Sequence, residues 1–230
     1  MKWNNLDLKW NSVISNEEDK KRIAKIVANK VKDGDTIGFG SGSTSFIATK
    51  EIAKKIKNEK LNIIAIPTSY EIKLLCDNLN IPTGSIMEYK PDWSFDGTDE
   101  YNKDNWLIKG RGAAMFKEKL NIVNSKKVYI LADNTKFVEK LGQNFSIPVE
   151  CFPESVKFVK SRLMKLGAEE CILRSGEGKD GPIITENNNL ILDVKFLNID
   201  SKLEKKIKLI PGVIESGLFI GYKNIEIIKW

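Results

Sequence analysis

Between residues 96 and 120 the chain reads "DGTDEYNKDNWLIKGRGAAMFKEKL", which sets Asp96, Asp99 and Glu100 ahead of Lys109, a glycine-flanked Arg111 and Glu118. Carboxylates near a lysine and a glycine-rich backbone are parts suited to moving protons and steadying an oxyanion. The chain contains no histidine. Ser-His-Asp and Cys-His chemistry are therefore excluded, the commonest zinc ligand is missing, and any proton transfer falls to carboxylates, lysines or bound water. Taken alone, Glu118 between Lys117 and Lys119 reads as a solvated helical charge, and Asp96 and Asp99 read as turn formers around Gly97. Cys76, Cys151 and Cys171 are odd in number and lack CxxC spacing, so they read as buried free thiols rather than a disulfide framework or a thiolate metal site.

The elements that must carry these residues follow from periodicity. Residues 17–32 place Ile23, Ile26, Val27 and Val31 at helical spacing behind acidic first-turn residues. A short strand at 36–39 then leads through "GSGSTS" into a helix over "FIATKEIAKKIK". The plan repeats with a strand at 62–66, the corner Pro67-Thr68-Ser69 and the helix "YEIKLLCDNL". Weaker strands are expected at Ser85–Tyr89 and Trp93–Phe95, a helix over "AAMFKEKLNIV" and a buried strand in "KKVYILADNTK". Alternation of this kind predicts a parallel sheet covered on both faces. From about Ser146 the pattern changes to strand "IPVECF", helix "PESVKFVKSRLMKLG", strand "ECILRS", a hairpin turning on Asn187–Asn189, helix "DSKLEKKIKLI" capped by Asp200 or Ser201, and strand "GVIESGLFI". That order is close to β-α-β-β-α-β. The expected fold is α/β, a Rossmann-like parallel-sheet domain of residues 1–145 plus 212–230 with an inserted smaller α+β, ferredoxin-like domain of residues 146–211.

Four polar clusters, Gly40–Thr44, Pro67–Ser69, Asp96–Glu100 and Asp133–Lys136, each follow the carboxyl end of a strand, the edge at which such sheets bind ligands. "GFGSGST" fails the dinucleotide spacing, because Ser43 stands where the third glycine belongs and no carboxylate ends the second strand. It is not a Walker loop either. Free N–H groups, Ser43, Thr44 and a helix N-terminus suit a single phosphate or a sugar hydroxyl, or else a βα turn capped by Ser43.

Of the 230 residues, 41% are apolar and 30% charged, as in soluble globular proteins, and no apolar run approaches a membrane span. The opening residues lack the regions of a signal peptide, which makes a cytoplasmic location the expectation. The formal charge of +6 is spread through segments mixed with glutamates, so nucleic-acid binding is not expected, while a general pull on anionic small molecules is. Lys20 and Lys21 could add charge where the substrate is held, but they read first as surface lysines.

Several motifs together resemble the type A ribose-5-phosphate isomerases. "DGTDE", "LIKGRGAA" and "KEK" resemble that family's DG-A-DE, KG-x-G-x-A and REK segments; "GSGST" resembles its GTGST loop, "IPTSYE" its PTS segment and "ILADNTK" its ADxSK segment. "PVECFP", "ITENNNLILDV" and "IPGVIESGLF" are similar to its small-domain and closing signatures, so the match runs from about Asp19 to Phe219. The resemblance implies an aldose-ketose isomerase of the non-oxidative pentose phosphate pathway, working through an enediolate without metal or other cofactor. It implies Glu118 as base, Lys109 beside the oxyanion, and Asp96 and Asp99 as helpers in ring opening. Substrate contacts are implied from Ser41, Gly42, Ser43 and Thr44, from Asp96, Gly97, Thr98 and Asp99, from Lys109, Gly110, Arg111 and Gly112, and from Lys136. A small sugar phosphate is the implied partner, with no nucleic acid or membrane, in a homodimer or homotetramer. Ser41 stands where the family usually has threonine and Thr98 where it usually has alanine; both are tolerable. Arg111 stands where many members have glycine, and the residues do not choose between a phosphate contact and a solvent-facing position. The alternative is a non-catalytic sugar-phosphate sensor of DeoR-type fold, for which the chain offers no room for a helix-turn-helix ahead of the site helix. A sugar-phosphate deaminase or lactonase is disfavoured by the missing histidine.

Overall fold

Acidic residues lead, and apolar residues recur every third or fourth position, in α1 (Glu17–Ala28), so Ile23, Ala24 and Val27 are completely buried along one face. The helix stops short of the expected 17–32, since residues 29–30 form a turn. Next come β1 (Thr36–Phe39), α2 (Gly42–Glu59), β2 (Ile64–Pro67), α3 (Tyr70–Asn78) and β3 (Trp93–Gly97). They are followed by β4 (Glu100–Tyr101), β5 (Leu107–Ile108), α4 (Met115–Asn124), β6 (Lys127–Ala132), β7 (Ile147–Cys151), α5 (Val156–Lys165) and β8 (Ala168–Leu173). The remainder is β9 (Leu190–Phe196), α6 (Leu203–Lys208), β10 (Val213–Ser216), β11 (Leu218–Phe219) and β12 (Ile225–Lys229). This computed structural model describes residues 8, 10, 14–176, 178 and 180–230. Most of the opening segment read above for a signal peptide lies outside the described residues.

The chain divides into two compact units. The first comprises Met1–Gly97, Lys117–Thr135 and Asn224–Trp230; the second comprises Thr98–Phe116 and Lys136–Lys223. In the first, five strands in the order β12-β6-β3-β1-β2 form an all-parallel sheet. Its strands are apolar because both faces are covered: Ile37, Phe39, Ala65, Phe95 and Ile130 are wholly buried. The Phe39 and Phe95 rings lie 4.9 Å apart at the centre of this core. The strand expected at Ser85–Tyr89 is instead a turn, since the Ser85 N–H and hydroxyl both donate to Glu88 Oε2 at 3.1 and 2.8 Å. Thr83, just ahead of that turn, makes an isolated bridge to the sheet at Ala65.

In the second unit, β10-β7-β9-β8 form an antiparallel sheet that carries α5 and α6, the ferredoxin-like order. Val149, Val159, Leu163, Val194 and Ile207 are completely buried between sheet and helices. This unit is larger than residues 146–211. It takes in β4 and β5, which pair with β11 in a three-stranded sheet, and residues 142–145 are tied to it by Glu100, whose buried carboxylate accepts the N–H groups of Gly142, Asn144 and Phe145. The segment "GVIESGLFI", expected as one strand, breaks at Gly217. Its N–H donates to Pro148 O at 2.7 Å and its carbonyl accepts from Lys109 N at 2.9 Å, so β10 joins one sheet and β11 the other. The expected hairpin keeps its second arm as β9, while the first arm reduces to single pairings of Ile184 with Leu190 and Ser175 with Pro182. The start of α6 carries no side-chain cap at Lys202, although Asp200 Oδ1 accepts the Lys202 N–H at 2.8 Å. Among the described residues no helix is long and apolar enough to cross a membrane.

Candidate active site

In the first unit, β1 pairs with β2 on one side and β3 on the other, so the chain reverses its direction of sheet growth at β1. Ligands of open parallel sheets bind beyond the carboxyl ends at such a point. The loop after β1 and the end of β3 lie there, carrying Ser41–Thr44 and Asp96-Gly97. They approach closely because residue 40 is glycine: a Cβ on Gly40 would come within 2.6 Å of Asp96 Cα and collide with its carboxylate. Asp96 is 2% exposed, and its Oδ1 accepts the Gly97 N–H at 2.7 Å. α2 begins at Gly42, with no side-chain cap from Ser41 and no acidic residue in its first turn.

Glu118 is not the solvated charge its neighbours suggest. It lies on α4 with 5% exposure, and Ser41 Oγ donates to its Oε1 at 2.7 Å across 77 residues of chain. The helix is seated by Asn121, whose amide donates to Ile66 O at 2.9 Å. Lys20 also departs from expectation. Rather than a surface lysine it is 4% exposed, and its ammonium donates to Ser43 Oγ at 3.2 Å and to Ser15 Oγ at 3.4 Å, which puts a buried cation at the glycine loop. Lys21 remains on the surface, paired with Glu17 and Glu18 at 3.1 and 2.9 Å. The burial of Lys20 was not legible, because helical spacing says nothing of a partner 23 residues away. At the end of β6, Asp133 accepts the Thr135 N–H at 3.0 Å and its hydroxyl, capping a single 3₁₀ turn over Asn134–Lys136.

The second unit holds the other expected residues. Thr98 Oγ1 lies 2.7 Å from Glu100 O and 2.9 Å from Ile108 O, which makes it a brace between β4 and β5. Asp99 Oδ2 accepts the Arg111 N–H at 3.1 Å, so this aspartate holds the turn that follows Lys109. Lys109 is 2% exposed, and its ammonium lies 5.9 Å from the Phe219 ring centre. Gly110 has φ +103°, open to glycine and costly for other residues, and a Cβ there would meet Met115 and Pro148. Arg111 and Gly112 are exposed. Lys136 is half-buried, its ammonium 5.4 Å from the Phe145 ring centre. Among the described residues no group of three His, Cys, Asp or Glu side chains is disposed to hold a metal ion.

In the first unit, a buried carboxylate held by a hydroxyl and a buried cation at a glycine loop suit proton transfer on an anionic substrate; the second unit, described by itself, holds a buried lysine. Residues 64–229 match the family model described as ribose 5-phosphate isomerase A (phosphoriboisomerase A). The chain is similar to ribose-5-phosphate isomerase A of Methanocaldococcus jannaschii, 43% identical over 90% of this chain and 92% of that protein. The solved structure of that organism's enzyme superposes with a TM-score of 0.89 at 40% identity, covering 93% of this chain and 95% of the other. A solved D-ribose-5-phosphate isomerase in complex with phospho-erythronic acid does so with a TM-score of 0.89 at 36% identity, covering 94% and 96%. With a family model matched over more than half of its length and relatives alike over nearly all of it, the chain belongs to the ribose-5-phosphate isomerase A family.

Proposed function

We propose that this protein interconverts ribose 5-phosphate and ribulose 5-phosphate, as a step of the non-oxidative pentose phosphate pathway. The observation that carries the reading is Glu118, buried on α4 and oriented by the Ser41 hydroxyl at the carboxyl edge of the parallel sheet. A base in that position is what a shuttled proton requires, and a pure sensor has no use for one. Asp96 and Asp99 assist ring opening by moving the anomeric hydroxyl proton toward the ring oxygen. Glu118 then takes the proton from carbon 2 of the open aldose. The electron pair moves into the carbon 1–carbon 2 bond, and the charge that develops on oxygen 1 is met by Lys109. Glu118 returns its proton to carbon 1 and the oxygen 2 proton passes to oxygen 1, which leaves the ketose. Ser43, Thr44, the first amides of α2 and Lys20 hold the phosphate, with Gly42, Gly97, Thr98, Gly110, Arg111, Gly112 and Lys136 completing the substrate contacts.

The test is a coupled assay of ketose formation from ribose 5-phosphate, run with a chelator and beside Glu118→Gln. The expected result is turnover unaffected by the chelator and lowered by about 10²- to 10⁴-fold in the variant. Binding without turnover in the unaltered protein would favour the sensor, although every relative named above is an isomerase. Wild-type turnover by Glu118→Gln would move the base to Asp96 or Asp99.

A further inference from the structure

Arg174 follows β8, far in sequence from every residue assigned to the chemistry, yet its guanidinium reaches the loop that carries Lys109. Its Nη1 donates to the carbonyls of both Gly110 and Arg111, each at 3.0 Å. Its other edge forms a two-pronged pair with Asp193 of β9, Nε donating to Oδ2 at 2.8 Å and Nη2 to Oδ1. The pair is largely shielded, with side-chain exposures of 14% and 26%. Asp193 is rigidly placed, since it sits on a central strand opposite Pro148 of β7 and Ile172 of β8. The Arg174 backbone is fixed as well: its N–H donates to Ile191 O and its carbonyl accepts from Ile183, both at 2.9 Å.

The loop has other ties as well. Gly110 O also accepts the Ala113 N–H at 3.1 Å, the Lys109 N–H donates to Gly217 O at 2.9 Å, and the Arg111 N–H is held by Asp99. Ala113 at φ +63° holds a conformation that neighbours must enforce. A planar fork that holds a carboxylate on one edge and two successive carbonyls on the other is a task for arginine, and lysine cannot reproduce it.

We propose that Arg174, locked by Asp193, is a positioning residue for the isomerisation: it fixes the backbone of Gly110 and Arg111, and through it the placement of Lys109 and Asp99. This inference rests on the isomerase reading. The small antiparallel sheet thereby acts on the reaction through a single side chain.

The experiment compares wild type, Arg174→Met, Arg174→Lys, Arg174→Ala and Asp193→Asn in steady-state turnover of ribose 5-phosphate, with thermal melting and amide hydrogen exchange over residues 109–113. The expected result for Arg174→Met is a kcat lowered by about 10- to 100-fold, since a displacement of about 1 Å at a catalytic group costs about that much, with KM changed far less and faster exchange confined to the loop. Asp193→Asn should fall between it and wild type, Arg174→Lys should recover little, and added methylguanidinium should partly restore Arg174→Ala while leaving Lys109→Met unaffected. Wild-type kcat and unchanged exchange in Arg174→Met would overturn the proposal. Should that variant not fold, wild-type kcat in folded Asp193→Asn would overturn it equally. Absence of turnover in the wild type would sink the isomerase reading instead, and loop exchange would still decide whether Arg174 clamps the loop.

Discussion

Single side chains in this protein act through partners distant in sequence, so their substitution separates holding substrate from moving a proton. Removing the Ser41 hydroxyl leaves Glu118 buried with one donor fewer, and a hydrogen bond to a charged group contributes about 1.5–3 kcal/mol. Ser41→Ala should therefore lower kcat by at least about tenfold, read from initial rates at saturating substrate. Lys20→Met should do the opposite. With the buried ammonium beside Ser43 removed, KM for the sugar phosphate should rise by about 10- to 100-fold while kcat changes little. Equal losses in kcat for both variants would count against the division of roles between Glu118 and the glycine loop. Neither residue announces this in the sequence. Glu118 is flanked by Lys117 and Lys119, the pattern of a solvated face, and only the resemblance to a family pointed the other way.

At the scale of elements, close backbone approaches do the positioning. Gly40 is where β1 lets the carboxylate at the end of β3 come near, and a methyl group there would displace it. Gly40→Ala should keep its far-ultraviolet circular dichroism yet lose most of its turnover, through Asp96 rather than Glu118. The parallel strands were legible because "TIGF" and "YILA" are short apolar runs bounded by turn residues, and the small sheet because its strands and helices alternate at typical lengths. What was misread has local causes. "SIMEY" alternates like a strand, but periodicity does not register that the Glu88 carboxylate captures the Ser85 N–H and hydroxyl. "GVIESGLFI" is continuously strand-like, and the break at Gly217 comes where its backbone bonds to both Pro148 and Lys109, which no window of nine residues contains. The turn-forming role of Asp99 was legible from its surroundings; its partner, the Arg111 N–H, was not.

For the whole molecule, stability should depend on pH through its three buried thiols. Burial pushes the Cys76 thiol up to about 12 and is the main cause that pushes Cys151 up to about 11, and Cys171 is raised chiefly by the same desolvation. An unfolded thiol ionises near about 8.5, so above that pH the unfolded chain releases protons that the folded one retains, and stability falls as pH rises toward the folded values. Urea midpoints should accordingly hold steady below about pH 8 and decline between about pH 8.5 and 11, and the native protein should react slowly with a thiol reagent at neutral pH. Rapid labelling of all three cysteines without denaturant would contradict this burial. The chain also passes between its two units at four peptide bonds, after Gly97, Phe116, Thr135 and Lys223, so neither unit is a contiguous stretch. The strand at Ile225–Lys229 pairs in parallel with β6 from the middle of the chain. Until that strand docks, the other four strands of the parallel sheet present an open β6 edge. Closing that edge thereby waits on a strand distant in sequence, and an edge left open is where a chaperone or another chain would compete.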